Sequence, residues 1–175
     1  AINTMDHSSA LAQVKAANAD WIFATGYIND LVLIRKQMSD QRIGAPVVTM
    51  IAGPAYQEFI DAAGAGAENI SSAAWWHPAV RYQGKDIFGT ADNYVKLFRE
   101  KYNVTPDYAQ ASSSVSGALF QRAIEQAGSL DREKVRDALA GMNVMTFWGP
   151  VHFGKTGQIH SLEPPVFQIQ GGKTV

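Results

Sequence analysis

The sequence predicts an α/β fold in which helices flank a parallel sheet, and three observations carry that expectation. Trp21-Ile22-Phe23-Ala24-Thr25 is apolar, aromatic or β-branched with no charge, the pattern of a strand buried on both faces. Val47-Val48-Thr49-Met50-Ile51 repeats that pattern after Pro46. Amphipathic segments with helical spacing lie before and after each run, and such alternation means βαβ units and a parallel sheet.

Taken in order, Asp6 or Ser8 suits the cap of a helix carrying Ala10, Leu11, Val14 and Ala17 on one face. After the strand at 21–25, Gly26 and Tyr27 make a turn. Asn29-Asp30 then opens a helix with Leu31, Ile34, Arg35 and Met38, which Gly44 is placed to end. The second strand is followed by the turn Gly53-Pro54 and a short helix with Tyr56, Phe59, Ile60 and Ala63, stopped by Gly64. Glu68–Trp75 reads as a third strand, and His77-Pro78 breaks the alternation. A helix is expected from about Thr90 to Tyr102, with Tyr94, Leu97 and Phe98 on its apolar side. Asp107 with Gln110 has capping-box spacing. The helix it opens is rich in Ala, Ser and Gly before Leu119, Phe120, Ala123 and Ile124, and Gly128 ends it. Asp131 caps a last helix, Arg132–Ala140. Met145–Phe147, Val151–Phe153 and Val166–Ile169 are short strand-like runs.

The 175 residues suffice for a domain with a real core; 46% are apolar and 18% charged, which is a globular composition. A net charge of -1 gives no general attraction to nucleic acid or anionic membrane. No apolar run approaches the roughly 20 residues of a membrane span. There is no cysteine, so disulfides and thiolate metal sites are excluded; that fits the periplasm among other compartments. The chain opens on Ala1-Ile2-Asn3-Thr4 without a basic or apolar leader, so either a leader has been removed or the chain begins partway through a larger protein.

Gly149-Pro150-Val151-His152-Phe153-Gly154-Lys155-Thr156 satisfies the phosphate-loop pattern GxxxxGK[ST]. The chemistry needs a flexible glycine-rich loop followed by a helix whose N-terminus faces the phosphate. Here the interior is stiff, and Pro164-Pro165 soon follows, so a turn, a β-hairpin and a second turn are expected instead. His7, His77, His152 and His160 lack metal-ligand spacing, and no metal or cofactor is expected. Counting leaves a Ser-His-Asp triad open, but there is no GxSxG elbow, and Ser112–Ser116 falls inside a helical pattern.

The candidate site lies where strands of an open α/β sheet end, because ligands sit outside their carboxyl ends. Tyr27 and Tyr56 each follow a strand by a few residues, and a shared ligand mouth competes with two packed surface tyrosines. Asn29 and Asp30 suit a helix cap, and Asp30 equally suits an ammonium group. Of Trp75-Trp76, the bland reading puts Trp75 in the core and Trp76 on a loop wall; the functional one has an aromatic lining a cleft.

The order of these motifs resembles the solute-binding proteins of branched-chain amino acid ABC transporters, the type I periplasmic binding proteins. Ala16–Phe23 with Thr25-Gly26-Tyr27 matches one family segment, and Arg35–Met38 with Gly44 and Pro46 the next. Phe98–Tyr102 with Pro106, Ala123–Ser129, Val135–Leu139, Phe147–Phe153 with Gly157-Gln158, and Val166–Ile169 follow in family order. The overlap covers nearly the whole chain and contains the phosphate-loop match, which it marks as coincidence.

The resemblance implies a three-layer, Rossmann-like lobe of an incomplete two-lobe fold that performs no chemistry. It implies that residues 1–105 form the α/β core of the second lobe. Residues 106–142 would be helices that pack on the first, and residues 143–175 strands returning to the second. The absent first lobe would bring the Ser/Thr and backbone groups that grip a carboxylate. The second lobe's contacts carry over to the turn after the first strand, hence Tyr27, and to the turn after the second, Gly53–Tyr56, hence Pro54, Ala55 and Tyr56; Asn29, Asp30 and Trp76 stand beside these as candidates on their residue types alone. Some amino-acid binders of the family have an acid in the second turn; this chain has Pro54-Ala55-Tyr56 there, with Glu58 the nearest, so an aromatic or other organic acid becomes a candidate beside an amino acid. The implied partners are a small solute, an ABC-transporter permease, and the missing first lobe or a second copy of the chain, with no nucleic acid. The implied location is periplasmic or extracytoplasmic in a bacterium. The alternative is a ligand-binding sensor domain of a signalling receptor with the same fold.

Overall fold

The computed structural model describes residues 4–175; the opening Ala1-Ile2-Asn3 lies outside them. The chain forms two compact units. One comprises the described residues up to Ala74 together with Val166–Val175, and the other is Trp75–Pro165. The expected boundaries at 105/106 and 142/143 therefore fall inside the second unit. The reason is a shared core: residues on both sides of each boundary close on one another, as described below.

The first unit runs α1 (Ser8–Ala17), β1 (Trp21–Thr25), α2 (Ile28–Asp40), β2 (Val47–Ile51), α3 (Gln57–Ala63) and β3 (Ser71–Ala73), and closes with β6 (Val166–Gln170) and β7 (Lys173–Thr174). The sheet order is β1-β2-β3-β6-β7. β1, β2 and β3 are parallel, and β6 and β7 each join antiparallel, so the sheet is mixed. Because β1, β2 and β3 progress in one direction, right-handed crossovers put their helices on one face. Leu11, Leu31, Met38, Phe59 and Ile60 from α1–α3 pack there with Ile22, Ala24, Val48, Met50 and Ile169 from the strands.

The opposite face is bare in this unit, which corrects the expectation that 21–25 is buried on both sides. Burial alternates along β1, with Trp21 59% and Phe23 56% exposed. The two rings meet edge to face at 5.9 Å, and the Trp21 indole donates to Thr49 Oγ1 at 2.9 Å. β3 is shorter than the run Glu68–Trp75 expected for it: only Ser71–Ala73 join the sheet, all three paired with β6 and Ser71 also with Thr49 of β2.

The helix ends follow local chemistry. α2 stops before Gly44: Arg42, at φ 53°, takes the left-handed position, and its N–H donates to Ser39 O while that of Ile43 donates to Met38 O. Buried Ile43 and Met38 supply the apolar contact of that motif, so glycine is not required.

The second unit holds α4 (Ala91–Tyr102), α5 (Tyr108–Ala127), α6 (Arg132–Ala140) and the hairpin β4 (Asn143–Thr146) and β5 (Gly149–His152). Thr90 Oγ1 caps α4 by accepting from Asn93 N. Asp107 caps α5 with a capping box, in which its Oδ1 also accepts from Ala109 N at 2.7 Å and its own N–H donates to Gln110 Oε1 at 2.8 Å, and Asp131 caps α6. Tyr94 and Val95 of α4, Ala111, Val115, Leu119 and Ala123 of α5, and Phe147, Trp148 and Val151 of the hairpin share one core with Trp76. Leu119, Val135 and Leu139 are thus packed within this unit, while Phe120 and Leu130 stay exposed.

Candidate functional site

The carboxyl ends of β1 and β2 lie side by side, with Thr25 registered opposite Ile51. Neighbouring strands are about 4.8 Å apart. The turns that follow therefore leave from one edge, and each ends in a tyrosine that stands at the N-cap of the next helix. Tyr27 has extended backbone, its carbonyl accepts from Leu31 N at 3.0 Å, and its side chain is 67% exposed. Tyr56 also has extended backbone; its carbonyl accepts from Phe59 N, and its own N–H donates to Gly53 O at 3.0 Å. The sequence pattern of strand, turn, aromatic and helix thus puts two phenol rings at one sheet edge.

The second turn is tightly packed. A Cβ on Gly53 would lie 2.8 Å from Leu31 Cδ1 and 3.1 Å from Phe59 Cδ2, so any larger residue there would have to displace those side chains. Ala52, just before it, has φ 80° and ψ -51°, near the rare positive-φ γ-turn region. Such backbone costs an alanine on the order of 1–3 kcal/mol and persists only where the surroundings hold it.

The other expected residues divide. Ile28 begins α2, so Asn29 and Asp30 lie within its first turn rather than capping it; Asn29 is exposed and Asp30 almost wholly buried. An acid in the first turn favours the positive end of the helix dipole. Pro54 is fully buried, so it packs the turn rather than presenting a surface, and Ala55 is half-buried. Trp76 is likewise no cleft wall. It is 1% exposed inside the second unit, edge to face with Tyr94 at 5.6 Å, and its indole donates to Phe147 O at 3.4 Å. Trp75 is the exposed one of the pair, at 56%, the reverse of the bland reading. Ala52 was missed by sequence reasoning, since nothing about an alanine in the run Ile51-Ala52-Gly53 signals positive φ.

The phosphate-loop match takes none of the shape that chemistry needs. Gly149–His152 is strand β5, and residues 155–157 are a turn closed by Gly157 N donating to Gly154 O at 2.9 Å. Thr146 Oγ1 accepts from Trp148 N and Gly149 N and donates to Gly149 O, pinning the hairpin bend. Among the described residues no group of His, Cys, Asp or Glu is arranged to hold a metal ion, and no helix is long and apolar enough to cross a membrane.

A family model described as "Periplasmic binding protein" matches residues 1–173. Leu/Ile/Val-binding protein homolog 7 of Brucella melitensis is 27% identical over 99% of this chain and 44% of its own length. Leu/Ile/Val-binding protein BraC3 of Rhizobium johnstonii is 23% identical over 97% and 44%. The chain thus spans less than half the length of these curated relatives. The fold is similar to that of the leucine binding protein LivK of Thermotoga maritima, at TM-score 0.84 and 23% identity, over 99% of this chain and 48% of that one. The substrate binding protein LivJ of Streptococcus pneumoniae, solved in complex with isoleucine, gives 0.83 at 22% identity, over 98% and 47%. A solute binding protein of R. palustris, solved in complex with benzoate, gives 0.78 at 17% identity, over 100% and 47%.

Proposed function

The chain belongs to the periplasmic binding protein family, a family without enzymatic activity, and we propose that it forms half of a solute-binding cleft in an ABC importer. The observation that carries this reading is the paired turn at the carboxyl edge of β1 and β2, with Tyr27 and Tyr56 at one mouth. Two aromatic faces on rigid turns offer stacking area at low entropic cost. The other wall of the cleft comes from the part of the relatives' length that this chain does not span. Exposed Trp21 and Phe23 in one unit, and Phe120 and Leu130 in the other, suit burial by that part. The loaded protein then works outside the cytoplasm and delivers its solute to a permease.

The ligand class follows from the second turn. Residues 53–56 contain no carboxylate, and Glu58 is exposed one residue into α3. An ammonium group meets no acid in that turn, whereas a small organic acid, aromatic acids included, meets only apolar and phenolic groups there. The test is calorimetric titration of the complete protein with benzoate, leucine and isoleucine. Benzoate is expected to bind best, with Tyr27→Ala and Tyr56→Ala each weakening it at least about fivefold, a loss of about 1 kcal/mol. Binding untouched by both substitutions would remove the mouth from the function.

A further inference from the structure

Ala52 joins two pieces that are each held in place independently. Up to Ile51 the chain is locked in the β1–β2 ladder. From Gly53 onward it is locked by packing: Gly53 fits beneath Leu31 and Phe59, Pro54 is buried, and Tyr56 N donates to Gly53 O. Between the two pieces, Ala52 takes φ 80° and ψ -51°. Of the four other described non-glycine residues of positive φ, Asn18, Arg42 and Asn103 each close a helix, where a left-handed residue is the common solution, and Asn69 lies in the turn before β3, in a conformation asparagine readily adopts. Ala52 closes none; it stands where β2 meets the mouth.

We propose that Ala52 is a positioning residue: its strained backbone sets the direction in which the turn leaves β2, and so where Ala55 and Tyr56 meet the ligand. The inference rests on the mouth reading above and adds a second role to it, that of preorganisation. A turn held in one direction before binding spares the ligand the work of ordering it. Strain kept at a ligand clamp is the usual reason such backbone is retained. Glycine at 52 adopts the same φ and ψ without cost but also adopts others. If it leaves the competent turn about one-third populated, the apparent Kd rises about threefold.

The experiment compares the complete protein with its Ala52→Gly and Arg42→Gly variants, by melting temperature without ligand and by titration with benzoate and with isoleucine. Ala52→Gly is expected to melt at or above the wild-type temperature, because strain is released, yet to bind whichever probe the wild type binds about threefold more weakly or worse. Arg42→Gly makes the same backbone change at the end of α2, away from the mouth, and leaves affinity unchanged. Wild-type affinity in Ala52→Gly overturns the inference while leaving the mouth intact. A joint loss of stability and affinity also overturns it, since a general packing defect gives that pattern. A wild-type protein that binds neither probe overturns the mouth reading and the inference with it.

Discussion

Replacing Trp76 by alanine tests whether the second unit owns its core. The indole is among the largest fully buried side chains. It lies edge to face with Tyr94 at 5.6 Å and with Phe147 at 6.4 Å, while Tyr94 and Phe147 stack at 4.2 Å. Trp→Ala in a packed core costs about 3–5 kcal/mol, and each aromatic pair is worth about 0.5–1.5 kcal/mol beyond area burial. A domain's whole stability is about 5–15 kcal/mol, so Trp76→Ala should leave this unit barely folded. Trp76→Phe keeps a ring in the slot and should fall between. Trp75→Ala, at an exposed neighbour, should stay within about 0.5 kcal/mol of wild type. Urea unfolding followed by near-ultraviolet circular dichroism reads all three through midpoint and slope. A Trp76→Ala protein with an unshifted midpoint and weakened ligand binding would refute the core assignment and restore Trp76 to a cleft.

Three further outcomes are expected. Burial holds the His77 imidazole below its ordinary 6.5, and Nδ1 accepts from Ala79 N at 3.1 Å, a bond only the ring unprotonated at that nitrogen makes. Its folded value lies below its unfolded one, so its stabilising effect is complete above about pH 6.5 and is lost as pH falls through the folded value; urea midpoints should therefore decline less on acidification in His77→Asn than in wild type, and parallel curves would exclude the effect. Calorimetric titration with ATP should give no heat beyond dilution, whereas binding abolished by Lys155→Ala would reinstate a nucleotide site. The 175-residue chain on its own should associate, because β1 is an open sheet edge with bare Trp21 and Phe23 beside it; at about 25 cal/mol per Å², covering 400 Å² is worth on the order of 10 kcal/mol. Sedimentation should show Trp21→Lys with Phe23→Lys moving the chain toward monomer, and a monodisperse wild-type monomer would contradict the expectation.

What the sequence made legible is what short-range chemistry decides. Asp107 with Gln110, and Asp131, are caps because side chain and target N–H lie within one turn. Tyr27 and Tyr56 follow strands whose order the alternation already implied. What stayed hidden depends on elements brought from elsewhere. Trp21–Thr25 is apolar throughout, and that pattern does not say whether a second layer covers it within this chain. Gly53-Pro54 announces a turn, but its burial depends on Leu31 and Phe59 arriving from α2 and α3. Trp75 and Trp76 differ only in which of two adjacent indoles meets Tyr94, and composition cannot separate them. Gly44 was the obvious terminator of α2, yet Ile43 packing on Met38 makes Arg42 the residue that turns.

The discontinuity of the first unit has a consequence for biosynthesis. β3 finds its outer partner only in β6, whose Phe167 pairs with Ser72, and Gln168 Nε2 reaches back to Asn69 O across 99 positions. Translation at roughly 5–20 residues per second therefore completes Trp75–Pro165 before that seam can form. Until Val166 emerges, β3 is a nascent edge able to zip onto another chain. Closing so long a loop carries an entropic cost that grows only logarithmically with its length, and prior folding of the inserted unit shortens the effective loop. Mutations that slow the inserted unit should thus surface as aggregation through β3, in a part of the molecule they never touch.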